Sequence, residues 1–251
     1  MSMMSKRVHR FLAAIAIVWS TAIALPVVAQ EAADKDPWEG FNRSVFAINE
    51  SLDSALVRPT SQFFRSYVPK PIRTGARNFF DNLTDVPHLL NHILQLDAED
   101  AFVTSGRLIV NTTIGIGGLI DVATKLGLDA RPTDVGLTFA TYGVESGPYL
   151  VLPFFGPSTV RDGVGRGVDF FMIYPVSEIE DPALRWSLYG LEFIGRRADL
   201  LDAEELITGD KYVFLRELYL QNRQYRITGE LPEDDFGNED FEDFEDDEDW
   251  E

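Results

Sequence analysis

Apolar residues are distributed along this chain in two different ways. Near the start they dominate one uncharged run, Phe11 to Ala24, preceded by Lys6, Arg7 and Arg10 and followed by Val27-Val28-Ala29. A basic region, an apolar region and small residues at the −3 and −1 positions make a secretory signal, with cleavage expected after Ala29. Pro26 ends the apolar helix and leaves the cleavage segment extended. The competing reading is an uncleaved anchor, since Phe11 to Ala29 is uncharged and, at roughly 19 residues, could just cross a bilayer. The polar Gln30-Glu31 that follows favours cleavage. The expected division is therefore residues 1–29 as signal, 30–229 as body and 230–251 as tail.

In the body, apolar positions recur at helical spacing behind clear start signals. Asp36-Pro37-Trp38-Glu39 offers a cap, a first-turn proline and a glutamate, and Trp38, Phe41, Val45, Ile48 and Leu52 continue one stripe to about Leu56. Arg58-Pro59 is expected to break it. Pro71 opens a second helix carrying Ile72, Ala76, Phe79, Phe80 and Leu83. Asp85 and Pro87 begin a short third, and Asp97 a fourth running to about Val110. Gly115 to Gly118 reads as a turn, Leu119 to Leu126 as a short helix and Pro132-Thr133-Asp134 as a further start. Ser158, Asp181-Pro182 and Asp210 start the last three. No long alternation and no internal repeat interrupts this series, so the fold class is all-α.

Two features do not suit an ordinary soluble bundle. Residues 147–159 carry no charge, and Pro148, Pro153 and Pro157 exclude a regular helix or central strand there. Large apolar side chains in such a loop cost roughly 1.5–3 kcal/mol each if left in water, so the loop must be packed or lie in a membrane interface. Phenylalanine is abundant, 18 residues, with pairs at 63–64, 79–80, 154–155 and 170–171. Adjacent rings sit about 100° apart around a helix, which makes some helices apolar over a wide arc. Gly163 and Gly167, one turn apart, fit a close helix crossing.

Charge and cysteine content narrow the partners. The chain has 22 basic and 41 acidic residues, net −19. Residues 230–251 hold 14 of the acids and no Lys or Arg, so this tail is expected to be disordered. The body is only mildly acidic, with no basic excess for nucleic acid. There is no cysteine, so an exported chain of this kind suits a bacterial envelope and does without disulfides.

No catalytic set stands out. His88 and His92 have metal-ligand spacing, and Asp97 and Asp100 could add oxygens, but the glutamate of a zinc-protease motif is missing and no metal is expected. Gly143-Val-Glu-Ser146-Gly147 places its serine one position too late for a hydrolase elbow. Gly115-x-Gly-Gly lacks the strand and lysine of a phosphate loop. The expectation is no enzyme, no cofactor and no nucleic acid.

The ordered blocks Asp-Pro-Trp-Glu-Gly-Phe-Asn-Arg (36–43), Val-Pro-Lys-Pro-Ile-Arg-x-Gly (68–75), Asn-Phe-Phe-x-Asn-Leu (78–83) and Asn-Thr-Thr-x-Gly-x-Gly-Gly-Leu-Ile-Asp (111–121) resemble the MlaA/VacJ family. So do Gly-Pro-Tyr-Leu-Val-Leu-Pro-Phe-Phe-Gly-Pro-Ser (147–158), Arg-Asp (161–162) and Tyr-Leu-Gln-Asn-Arg (219–223). The resemblance implies a single ring-like helical domain in the inner leaflet of the outer membrane, enclosing an amphipathic channel. It implies removal of misplaced phospholipids from the outer leaflet, association with a trimeric porin and transfer to a periplasmic lipid carrier, which maintains lipid asymmetry. A porin-bound structural protein without transport is the alternative. The channel and gating loop is expected at Tyr142, Gly143, Gly147, Pro148, Tyr149, Leu150, Leu152, Pro153, Phe155 and Gly156. Trp38, Phe41 and Asn42 are expected at the membrane interface. The family's lipobox cysteine is replaced here by Val-Val-Ala-Gln, an expected departure at the anchor. The acidic tail, also unlike the family, is expected to meet a basic face of the carrier.

Overall fold

The computed structural model describes residues 36–230 apart from Thr208. The signal segment and the acidic tail beyond Glu230 lie outside the described residues. Among the described residues there are eight α-helices: α1 (Glu39–Leu52), α2 (Arg58–Tyr67), α3 (Lys70–Leu94), α4 (Ala98–Thr113), α5 (Val135–Thr141), α6 (Val160–Val168), α7 (Pro182–Asp199) and α8 (Lys211–Thr228). An antiparallel hairpin, β1 (Tyr149–Leu152) and β2 (Gly156–Thr159), is the one sheet among the described residues. The class is all-α, as the spacing of apolar positions indicates.

Aspartates start four of the helices by accepting backbone N–H groups that the helix itself cannot satisfy. Asp97 takes Asp100 N, Asp134 takes Leu137 N, Asp181 takes Leu184 N, and Asp210 takes Tyr212 N. Other starts differ from the sequence-based expectation. Asp36 does not cap α1; its side chain is buried in a tertiary network, and Trp38 occupies the cap position. Thr159, the last residue of β2, rather than Ser158 caps α6, its side chain accepting Asp162 N. Leu119 to Leu126 yields only a single 3-10 turn at Thr124–Leu126. Asn111 draws the Val122 and Ala123 N–H groups to its own side chain, both at 2.9 Å, and so competes with helix formation there.

Neither expected proline break occurs. Ahead of Pro59 the chain makes one π-helical turn, Asp53–Val57, in which Arg58 N–H reaches back to the Asp53 carbonyl. The wider turn accommodates a ring that would collide with a tight α-turn, so α1 passes into α2 without a gap. Pro87 lies inside α3, and the helix expected to begin at Asp85 is a continuation of the one before it. Packing against α4 holds that segment: Asp85 accepts from the buried Arg107 at 3.2 Å, and Arg107 also donates to Leu128 O at 2.7 Å.

The tight crossing of α5 and α6 is real but uses other glycines than expected. A Cβ on Gly165 would lie 2.4 Å from Gly136 N, whereas one on Gly167 would meet nothing within 4 Å. Gly163 and Gly167 flank the contact; Gly165 and Gly136 make it. The main apolar core is small and joins α1, β1 and α8 through Val45, Tyr149, Val151 and Tyr212. Many other large apolar residues are exposed, among them Phe41, Leu56, Phe63, Phe102 and Phe171. No helix among the described residues is long and apolar enough to cross a membrane.

Candidate functional site

α1 presents two asparagines seven residues apart, hence two turns along one face. Asn42 Nδ2 donates to Tyr149 O at 3.1 Å, and its Oδ1 accepts Val151 N at 2.9 Å. Asn49 repeats the arrangement further along: Nδ2 to Leu152 O and Phe154 N to Oδ1, both at 3.0 Å. Side-chain amides thus take the place that a third strand would have on the free edge of β1. The buried edge of the hairpin is satisfied without another strand.

Behind Asn42 lies a buried carboxylate. Asn42 Nδ2 donates to Asp36 Oδ1 at 2.7 Å, the Tyr212 hydroxyl donates to Oδ2, and Arg216 approaches Oδ2 at 3.4 Å. The Tyr149 ring meets Tyr212 edge-on, with centroids 6.2 Å apart. Burial, and then the Asp36 charge, pushes the Tyr149 hydroxyl up to about 12. On the other side of the hairpin, Asp162 in α6 accepts from Tyr219 Oη at 2.8 Å and from Arg223 at 2.7 Å. Burial alone would raise that carboxyl; Arg223, Tyr219 and Arg161 together hold it below its ordinary value.

The hairpin tip is Pro153-Phe154-Phe155. Phe154 has φ +65°, a left-handed conformation uncommon for a bulky residue. Phe155 packs edge-on against Phe170 at 5.4 Å, and Phe170 stacks on Tyr189 at 4.5 Å. Two open, largely apolar cavities of about 510 and 520 Å³ are both bordered by Phe154, Phe155 and Phe193. The first extends along Phe46, Val57, Leu200 and Phe214. The second extends along Pro87, Tyr174, Trp186 and Tyr189. Cavities of this size and lining suit long apolar ligands.

The sequence model of the MlaA lipoprotein family matches residues 34–226. This chain belongs to that family. The intermembrane phospholipid transport system lipoprotein MlaA of Escherichia coli is 39% identical over 203 residues, covering 77% of this chain and 79% of the relative. The protein so named from Haemophilus influenzae is 34% identical over 208 residues, covering 79% and 82%. A solved structure described as the structural basis for maintenance of bacterial outer membrane lipid asymmetry aligns with a TM-score of 0.66 at 35% identity. It covers 76% of this chain and 98% of that one. Since the relatives are named lipoproteins, they lend no support to the expected departure at the anchor.

Within this MlaA-family fold, the blocks that carry the resemblance act mainly as locks. Asp36 and Asn42 of the first block secure β1, and Asn78 and Asn82 secure the 111–121 loop through Leu119 O and Thr112 Oγ1. Arg161-Asp162 is joined to Tyr219 and Arg223 of the last block.

The expected gating residues divide into three groups. Phe155 borders both cavities and Gly156 the first, and Pro153 lies in the tip with them. Tyr149 is buried in the α1–α8 core, while Leu152 lies on the opposite face, its side chain 3.6 Å from a Cβ placed on Gly163. Leu150 pairs with Ser158 across the hairpin. Gly143 and Gly147 have φ of +81° and +65°, and with Pro148 they form the approach to β1. Tyr142 stands apart, its hydroxyl donating to Leu94 O at the end of α3.

Trp38 and Phe41 are exposed, as an interfacial position requires. Asn42 is not: it is fully buried, because both ends of its amide are used by β1. Asn49 and Phe193 were not singled out from the sequence. The pairing of Asn42 with Asn49 at seven-residue spacing is the signal that could have revealed the first of them.

His88 and His92 serve the backbone. His88 Nδ1 lies 2.6 Å from Thr133 O, and His92 Nε2 lies 2.9 Å from Arg131 O. His92, Asp97 and Asp100 offer ligand atoms within 4.8 Å of one another. However, Asp97 Oδ1 already caps α4 through Asp100 N, and Arg131 approaches Asp100 at 3.7 Å.

Proposed function

We propose that this chain carries phospholipids between the membranes of a bacterial envelope, taking misplaced lipid from the outer membrane and so preserving its asymmetry. The carrying observation is the pair of apolar cavities that meet at Phe154, Phe155 and Phe193. Membership of the MlaA family, whose named relatives belong to an intermembrane phospholipid transport system, supports the same reading. Transfer of this kind makes and breaks no bonds, so no catalytic residue is assigned.

In this reading, acyl chains occupy the cavities, and the hairpin from Gly147 to Gly156 controls passage between them. The exposed Trp38 and Phe41 sit at the inner-leaflet interface, where aromatic side chains are favoured. The other exposed apolar helix faces meet acyl tails or a trimeric porin. A soluble periplasmic carrier receives the lipid. A solid structural spacer gives no reason for cavities of this size.

The test is extraction of the full chain in mild detergent, followed by analysis of the lipid that stays with it. Bound phospholipid is expected, with loss of that lipid in Phe155→Asp at unchanged helical content. Wild-type protein that retains no phospholipid and takes none from vesicles would overturn the reading.

A further inference from the structure

The charged residues on the wall of the first cavity, Glu50, Asp53, Arg197, Glu204 and Lys211, stand in an otherwise largely apolar lining. They form a continuous array. Lys211 Nζ lies 2.8 Å from Glu50 Oε2 and 2.6 Å from Glu204 Oε1. Arg197 Nη2 lies 2.7 Å from Glu204 Oε2, and its Nε lies 2.7 Å from Asp53 Oδ1. Arg58, outside the cavity, adds a contact to Glu204 at 2.8 Å. The array holds three cations and three anions, and each is paired within it.

Burial by itself would push the Glu204 carboxyl up, but Lys211 and Arg197 hold it down to about 2. Glu204, the acid at the centre of the array, is therefore ionised at neutral pH. Part-exposed ion pairs contribute little to stability, and buried ones can be exchanged for apolar residues without loss. Stability does not account for five charges on the wall of an apolar cavity. What they provide is adjacent sites of both signs, next to space for acyl chains.

We infer that this array is a headgroup subsite for zwitterionic phospholipids bearing a primary ammonium. Phosphate oxygens exchange onto Lys211 and Arg197 while the ammonium exchanges onto Glu50 and Glu204. The inference rests on the lipid-carrying reading above. Its basis is charge balance: a zwitterion opens one cation–anion contact and supplies a partner to each side, so no charge is left unpaired. A lipid with net negative charge supplies only the phosphate. A displaced carboxylate then stays beside an apolar wall without a cation, which is the unfavourable case for a desolvated ion. The array thus selects by headgroup where the cavity selects only by apolar size.

The experiment uses the full chain in detergent, exposed to vesicles of equal parts phosphatidylethanolamine and phosphatidylglycerol. The protein is re-isolated and its lipid identified by mass spectrometry. Wild type is expected to hold the ethanolamine lipid in about fivefold excess, the size of one part-exposed ion pair. The double variant Glu50→Gln, Glu204→Gln leaves the array net positive and is expected to favour phosphatidylglycerol. Glu50→Gln alone, at the most exposed acid of the array, is expected to narrow the wild-type excess. Bound lipid in the vesicle ratio, with wild type and Glu50→Gln alike, overturns the headgroup subsite and leaves the transport reading standing. Wild-type protein that binds neither lipid overturns both.

Discussion

The Asn49 side chain accepts the backbone N–H of Phe154 at 3.0 Å, so the far end of α1 holds the tip of the hairpin by its least comfortable residue. Phe154 keeps φ +65°, a conformation that costs of order 1–3 kcal/mol and persists only where its surroundings fix it. Asn49→Ala is expected to release the tip while lowering global stability by only about 1 kcal/mol, because the site is part-exposed. Hydrogen exchange at the Phe154 amide is the measurement. Unchanged protection there would show that Asn49 does not hold the tip.

Asn42→Ala should behave differently. It strands Val151 N and Tyr149 O in a buried setting and takes one donor from the Asp36 carboxylate, which keeps Tyr212 and Arg216. A loss of about 3 kcal/mol is expected, given about 1–3 kcal/mol for each buried polar group left unpaired. Denaturant titration of the two variants side by side gives the comparison; equal losses would contradict the assigned burial.

The glycines of α6 offer an internal control. Gly165→Ala forces a Cβ to 2.4 Å from Gly136 N and is expected to destabilise by about 1–3 kcal/mol or more. Gly167→Ala has open space and should stabilise the helix by about 0.5–1 kcal/mol. Thermal melts showing the same sign for both would refute the α5–α6 contact.

These contrasts mark what the sequence could and could not disclose. Helix starts at Asp97, Asp134, Asp181 and Asp210 were legible because a capping carboxylate acts on N–H groups two or three residues away. Continuity through Pro59 and Pro87 was not, since a local rule says stop and only distant packing overrides it. The uncharged 147–159 segment announced something unusual. Which of its faces lines a cavity depended on Asn42 and Asn49, more than a hundred residues earlier in the chain. Gly136 could not be matched with Gly165 by spacing within one helix, because the contact joins two.

A pH effect follows from His88. Burial, with His92 and Arg226 adding to it, pushes this imidazole down to about 4, against the opposing pull of Thr133 and Asp134. The neutral form is the one the fold prefers. Its contribution is complete above the unfolded value near 6.5 and is lost as pH falls towards 4. His88→Gln should therefore be less stable than wild type at pH 7, with the gap narrowing at pH 5. A gap independent of pH would show that His88 titrates normally.

The acidic tail gives a prediction from charge alone. Deleting residues 230–251 removes 14 acids, and should slow association with a periplasmic carrier and flatten its salt dependence. Identical rates and salt slopes for both chains would remove the tail from that encounter.

The unbroken passage from α1 through the π-turn into α2 has a mechanical consequence. One end of this rod grips the hairpin through Asn42 and Asn49; beyond the turn, Ser61 hydrogen-bonds to Ile194 O in α7, the helix whose Phe193 borders both cavities. Asp53, inside the turn, is tethered to Arg197 of that same helix. The hairpin and the α7 wall of both cavities are thus fastened to the same continuous rod, on either side of its one wide turn.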